Sequence, residues 1–333
     1  MAVSSRARTD TLRLVNSRQH SKPALNTERL ARALNSSALN HGLHLIGDRW
    51  SISIIREAFM GTRTFERFHQ NLKIPRQTLS ERLKRLMSLG ILRSVLYRTN
   101  PTRSEYRLTE KGLALYPYSL TRWVWSRKWD PNRNRLPRKL IHHACGERFV
   151  PECVCAYCRE PAKLRDVELE YSPQHFAAPA PMRARRWSSS LELEKNGPDR
   201  DRQLAFGVSV DRWCLLIVTS IFLGCHRFDE MQRVLSMGTS VLTKRLSALC
   251  DGGLVLRQPD IRDGRSWIYR LAPSGQDLFP SIMTLGSWVA QHHLPPGRTP
   301  FIRHRACGHA YWPLVRCDHC HEPLDPKSVT FVR

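Results

Sequence analysis

At 333 residues the chain is about twice the length of a common domain, so two or three domains are expected rather than one. Its 53 Lys and Arg against 29 Asp and Glu leave a formal charge of +24, with 41% of residues hydrophobic. That balance fits a folded protein with a polyanionic partner, nucleic acid ahead of an anionic membrane surface, and excludes wholesale disorder. No apolar run is long enough to cross a bilayer, and the polar opening MAVSSRARTDTLRLVNSRQHSKPALNTERL lacks a signal peptide's apolar core. A cytoplasmic protein is expected. In that reducing compartment closely spaced cysteines are more often metal ligands than disulfides.

The chain repeats itself. A shift of 163 residues aligns Asp48-Arg49-Trp50 with Asp211-Arg212-Trp213, and Leu79, Arg82, Leu83, Leu86 and Gly90 with Leu242, Arg245, Leu246, Leu249 and Gly253. Tyr106-Arg107-Leu108, Gly112, Pro117 and Trp125 recur as Tyr269-Arg270-Leu271, Gly275, Pro280 and Trp288. A cysteine cluster follows in each half at a shift of 162. The organisation this implies is a basic arm over 1–36, a helical unit over 37–130 and a cysteine unit over 138–170, then a linker over 171–200 rich in Pro, Ala and Ser. A second helical unit over 201–293 and a second cysteine unit over 300–333 complete it.

Within the first helical unit, Asp48 suits the N-cap of a helix carrying Trp50, Ile54, Ile55, Ala58 and Phe59, which Gly61 ends. A short helix is expected over Thr64 to Leu72, a tight turn at Lys73-Ile74-Pro75, and a third helix over Arg76 to Leu89. The stripe Leu79, Leu83 and Leu86 faces its core. Two short helices, a three-residue turn and a polar outer face are the layout of a helix-turn-helix. Strands on either side of the polar tip Tyr97 to Ser104 form a wing, and a last helix opens at Thr109 and runs through Trp125. The second copy repeats each element, with Asp263-Gly264 at its wing tip. The expected fold is mainly α with small β wings: two winged helix-turn-helix domains, each followed by a small zinc-binding unit.

Gly47-Asp48-Arg49-Trp50, Arg56-Glu57, Phe65-Glu66-Arg67-Phe68, Thr78 to Leu83 and Tyr106 to Gly112 together resemble the HxlR family of bacterial winged-helix transcription regulators. The resemblance covers about 37–126 and, more weakly, 200–291. It implies double-stranded DNA as partner, a homodimer or an intrachain pseudo-dimer, and regulation of nearby genes, with a small-molecule effector left open. Ser37 and Arg200 stand where many family members carry a cysteine, so no thiol switch is expected there. The tandem duplication and the appended cysteine units also set this chain apart.

With the leucine stripe inward, Gln77, Ser80, Glu81, Lys84 and Ser88 face outward; Lys84 and Arg85 suit guanine or phosphate, and Arg76 at the helix start suits phosphate. Arg98 and Arg103 in the wing suit backbone contacts or minor-groove probes rather than base reading. The second copy offers Ser240, Thr243, Lys244, Ser247 and Asp251, with Arg262 and Arg265 in its wing. Arg82 and Arg245 lie beside the core stripe, open either to phosphate or to packing along their own domain. The first recognition helix has four cations against Glu81, a net of +3. Its counterpart has Lys244 and Arg245 against Asp251, a net of +1, so the first copy is expected to dominate DNA binding.

The cysteine units share one pattern, H-x2-C-x9-C-x2-C. Its candidate ligands are His142, Cys145, Cys155 and Cys158 in one copy, and His304, Cys307, Cys317 and Cys320 in the other. Three thiolates and an imidazole form a closed tetrahedral set without a position for catalytic water, so about two structural Zn2+ per chain are expected, one in each copy. Cys153, His143, His309, His319 and His321 have no counterparts and are set aside; Cys214, Cys225 and Cys250 read as buried thiols. No nucleophile–base constellation, P-loop or dinucleotide fingerprint appears, which argues against an enzyme. The alternative is a zinc-containing RNA-binding or assembly protein that uses its winged helices as platforms.

Overall fold

A computed structural model of the chain describes residues 27–98, 103–130, 133, 136–169, 211–261, 264–294 and 302–332. The linker over 171–200, Arg262 and Asp263 lie outside the described residues, as do the first wing tip and Arg200. The elements of the first copy are built from local signals. Helix α3 (Arg49–Phe59) starts where the Asp48 carboxylate accepts from the backbone N–H groups of Trp50 and Ser51. Thr64 caps α4 (Phe65–Leu72) in the same way, and Lys73 takes the left-handed conformation, φ 50°, that turns the chain into α5 (Arg76–Ser88). Leu79, Leu83 and Leu86 of α5 are buried, as their spacing predicts. Strands β1 (Leu92–Arg98) and β2 (Arg103–Leu108) form the wing, with Leu92 opposite Leu108.

The expected last helix is two helices, α6 (Glu110–Leu113) and α7 (Tyr116–Trp129). Pro117 lies in the first turn of α7, where its missing N–H costs nothing; inside one continuous helix it would leave a carbonyl unpaired. Gly112 is required on a different ground: a Cβ there would run into the carbonyl oxygen of Ile91. The second copy repeats the set as α8 (Arg212–Phe222), α9 (Phe228–Leu235), α10 (Thr239–Asp251), β7 (Val255–Pro259), β8 (Trp267–Leu271), α11 (Pro273–Gln276) and α12 (Phe279–His292).

Part of the segment read as a basic arm is folded. Helix α1 (Thr27–Asn35) buries Leu30, Ala33 and Leu34, and α2 (Ala38–Ile46), capped by Ser37, buries Leu39, Leu43, Leu45 and Ile46. Residues 1–26 of that arm are outside the described residues. Helix α1 precedes the first copy in sequence and α2 opens it, yet both pack on the second: α1 against α9 and α2 along α12. The charges of Arg29 and Arg32 hid this amphipathic pattern, because three apolar side chains suffice when a neighbour supplies the rest of the core.

The copies join face to face. Trp125 donates its indole N–H to the carbonyl of Ser274 at 2.7 Å, and Trp288 donates to that of Lys111 at 2.9 Å. Each bond is the other's image under the 163-residue shift, and the equivalent hydroxyls of Thr121 and Thr284 meet at 3.1 Å between them. Such reciprocity is the mark of an isologous, two-fold interface, here within one chain.

The cysteine units obey the same symmetry, and they are not two separate bodies. They consist of β3 (Lys139–His142), β4 (Arg148–Phe149), β5 (Pro151–Cys155), β6 (Val167–Leu169), β9 (Ile302–His304), β10 (Pro313–Cys317) and β11 (Val329–Val332). Strand β5 pairs with its own counterpart β10, antiparallel, with Cys153 opposite Val315. Strand β3 of the first unit pairs with β11 of the second, while β9 of the second pairs with β6 of the first. Each unit therefore completes its sheets with strands from the other.

Candidate nucleic-acid interface and metal centres

On α5, Arg76, Gln77, Glu81, Lys84 and Ser88 are exposed and Ser80 is half-buried, opposite the buried leucines. Arg76 grips both carboxylate oxygens of Glu66, one at 3.1 Å, and these hydrogen bonds hold the Glu66 carboxyl below its usual pKa. Gln77 donates to Glu81 at 3.2 Å and the Ser88 hydroxyl to the carbonyl of Arg85. Lys84 is the exposed cation at the centre of this face.

Three arginines have other work. Arg82 pairs with Asp48 at 3.1 Å, tying α5 to the start of α3, and Arg245 pairs with Asp211 at the same distance in the second copy. In both copies this shared guanidinium is engaged within its own domain. Arg85 was expected on the DNA face. Instead it is half-buried, donating to the carbonyls of Leu45 at 3.1 Å and His44 at 2.7 Å. Those carbonyls end α2, where a cation both satisfies the last acceptors and meets the negative helix terminus. Its counterpart is Ala248, which is buried. Replacing Arg85 by Ala is expected to lower stability by about 1.5 kcal/mol. Thermal unfolding should record that loss, while preference among DNA sequences stays unchanged.

In the second copy Ser240, Thr243, Lys244, Ser247 and Asp251 are exposed on α10, and Ser247 donates to Asp251 at 3.4 Å. Arg265 is exposed beyond β7. The backbones of Arg98 and Arg103 pair across the first wing. Beyond the expected residues, Arg63, Arg67, Lys73 and Arg93 are also exposed around the first helix-turn-helix. Their exposure was not readable from periodicity, since only packing decides which loop cations stay in solvent.

All eight expected metal ligands fall into two compact groups, but each group draws on both copies. His142 and Cys145 meet Cys317 and Cys320; Cys155 and Cys158 meet His304 and Cys307. Within each group the ligand atoms lie within 4.8 Å of one another. His142 Nδ1 is 3.2 Å from Cys320 Sγ and 3.7 Å from Cys145 Sγ. In the other group, His304 Nδ1 is 3.4 Å from Cys158 Sγ and 3.5 Å from Cys307 Sγ, with Cys155 and Cys307 sulfurs 4.0 Å apart. Tetrahedral bonds of about 2.0–2.3 Å require ligand separations of roughly 3.5–3.8 Å, so the donor sets fit such an ion. The expectation of one closed set per copy is thus corrected. In each unit, the His-x2-Cys turn and the Cys-x2-Cys turn lie at opposite ends of the β5–β10 ribbon. Each turn meets the complementary turn of the other unit.

Cys153 and the four histidines set aside belong to neither group. Cys153 packs near the hydroxyl of Tyr311, and burial pushes its thiol to about 11. Cys214 and Cys225 are buried and Cys250 partly so; desolvation raises all three thiols, Cys225 to about 12.

These features define a tandem winged helix-turn-helix protein whose halves meet at two shared Cys3His groups. The family model for HxlR-like helix-turn-helix proteins matches residues 45–134 and 208–296, and the chain belongs to that family. This family is not enzymatic. An uncharacterized HTH-type transcriptional regulator of Mycobacterium tuberculosis (strain CDC 1551 / Oshkosh) is 40% identical over 144 residues, covering 43% of this chain and 91% of that protein. The uncharacterized HTH-type transcriptional regulator YvaP of Bacillus subtilis (strain 168) is 32% identical, over 26% of this chain and 83% of its own length. A crystal structure of PA1607, a candidate transcription factor, shares 29% identity over 42% of this chain and 96% of that one, with a TM-score of 0.35. The first relative is thus nearly spanned by less than half of this chain, about one copy.

Proposed function

We propose that the protein is a DNA-binding transcription regulator that presents α5 of its first copy to the major groove. The observation carrying this reading is the exposed row Arg76, Gln77, Glu81 and Lys84 on a helix whose opposite face is buried, within a family whose relatives are named transcriptional regulators. Gln77 offers a bidentate pair to adenine, Glu81 an acceptor for cytosine, and Lys84 a donor for guanine or phosphate. Arg76 would exchange Glu66 for a phosphate, while Arg98 and Arg103 in the wing, with Arg265 and Arg262 in the other, track the backbone. Ser240, Thr243, Lys244 and Ser247 form a weaker second face, so the second copy serves chiefly as the built-in dimer partner that positions the first.

The metal in both groups is zinc, a structural ion for which three thiolates and one imidazole are a suitable set. His142, Cys145, Cys317 and Cys320 would hold one, and Cys155, Cys158, His304 and Cys307 the other. Each ion then ties the two halves of the chain. Binding to a short duplex should weaken steeply with salt. Gln77→Ala and Lys84→Ala should each cost on the order of 1–3 kcal/mol at one base pair, measured on duplexes selected from a random pool. Unchanged discrimination in both variants would remove α5 as the reading element.

A further inference from the structure

The pseudo-symmetry is also broken at a cavity beside α12. Where α12 faces α1, α8 and the strands next to the second metal group, there is a cavity of about 810 Å³. The matching position in the first copy holds only about 50 Å³. Trp123 fills it there, its indole anchored to the carbonyl of Pro137 at 3.1 Å. The residue 163 positions later is Gly286. Arg56, beside the small space, likewise becomes Thr219 beside the large one.

Gly286 sits inside helix α12, where glycine is less stable than almost any other residue. Close packing does not require it: a Cβ would meet nothing nearer than the backbone N of Leu39 at 4.0 Å. The helix accepts glycine and leaves room. One polar group at the cavity wall is also changed. In the first copy Arg107 is held by Glu105 at 2.9 Å, whereas its counterpart Arg270 lines the cavity and the position of the glutamate is Ile268. No ion pair among the described residues engages the Arg270 side chain.

We propose that this cavity binds a small amphipathic anion, with an aromatic or aliphatic body against Phe279 and Met283 and a carboxylate or sulfonate at Arg270. Its volume lies within the range of small-molecule sites, which are mostly apolar with a few placed polar groups. A bound molecule would touch α1, the second winged helix and Tyr311 beside the second metal group, bridging the parts whose relative placement sets the two recognition helices. That such binding alters DNA affinity rests on the regulator reading above; the binding itself does not.

The test is fluorescence titration of the full-length protein with anilinonaphthalene sulfonate, without DNA, followed by displacement with decanoate or decanol. Saturable binding at one equivalent per chain is expected, with displacement by decanoate. Gly286→Trp, which copies the solution of the first half, should abolish it without lowering the unfolding temperature. Should that variant fold poorly, Arg270→Gln carries the test: it is expected to weaken decanoate about tenfold and leave decanol unchanged. The proposal is overturned if the parent shows no saturable site, or if a folded Gly286→Trp binds the probe like the parent. It is equally overturned if Arg270→Gln treats acid and alcohol as the parent does. Loss of DNA binding alone would strike the regulator reading and not this site.

Discussion

Cys145→Ser combined with Cys317→Ser is expected to leave one metal ion per chain, whereas Cys145→Ser combined with Cys155→Ser removes both. The first pair damages one group twice; the second damages each group once. Ligand sets confined to single copies would give the opposite stoichiometry, so elemental analysis of the two purified variants separates the arrangements. The stability losses should follow the same logic. Structural zinc contributes on the order of 10 kcal/mol in small zinc-dependent peptides. Here the copies also share an apolar core, so a smaller loss of several kcal/mol per ion is expected, still among the largest effects of any change in this chain. The Cys145/Cys317 double variant should unfold little earlier than either single one, because the second substitution falls on a site already broken.

Arg245→Ala is expected to destabilise by about 3 kcal/mol, since it strands the Asp211 carboxylate in a buried position. Arg245 and Asp211 are 9% and 8% exposed. The equivalent Arg82 and Asp48 are 18% and 23% exposed, so water relieves much of the loss and Arg82→Ala should cost about 1 kcal/mol. Chemical denaturation of the two variants measures the difference directly; equal losses would mean that burial does not distinguish the pairs. Both aspartates also cap their helices, a role that removal of the arginine leaves intact.

Much of the architecture is local and therefore legible from residue order. The caps at Asp48, Thr64 and Asp211, the leucine stripe of α5 and the turn at Lys73 each depend on neighbours within a few positions. The family resemblance and the eight residues of the Cys3His groups were readable for a related reason: two copies of one pattern reveal which residues recur. The split between α6 and α7 was foreshadowed by Pro117. Helices α1 and α2 were not legible, because their buried faces are completed by α9 and α12, far away in sequence.

The sequence by itself determined the repeat, the winged helices and which cysteines and histidines recur, because spacing and residue type act over short stretches of chain. Only the tertiary structure decided how the ligands are shared, which arginines are engaged, and that one half keeps a cavity the other fills. His142 reaches Cys320 across 178 positions, and Arg85 finds the end of α2 across 40. The cause is duplication. In two nearly equivalent halves, pairings within one copy and pairings exchanged between copies satisfy the same local pattern. The choice between them belongs to the interface, where Trp125, Trp288 and the β5–β10 ribbon bring the complementary turns together.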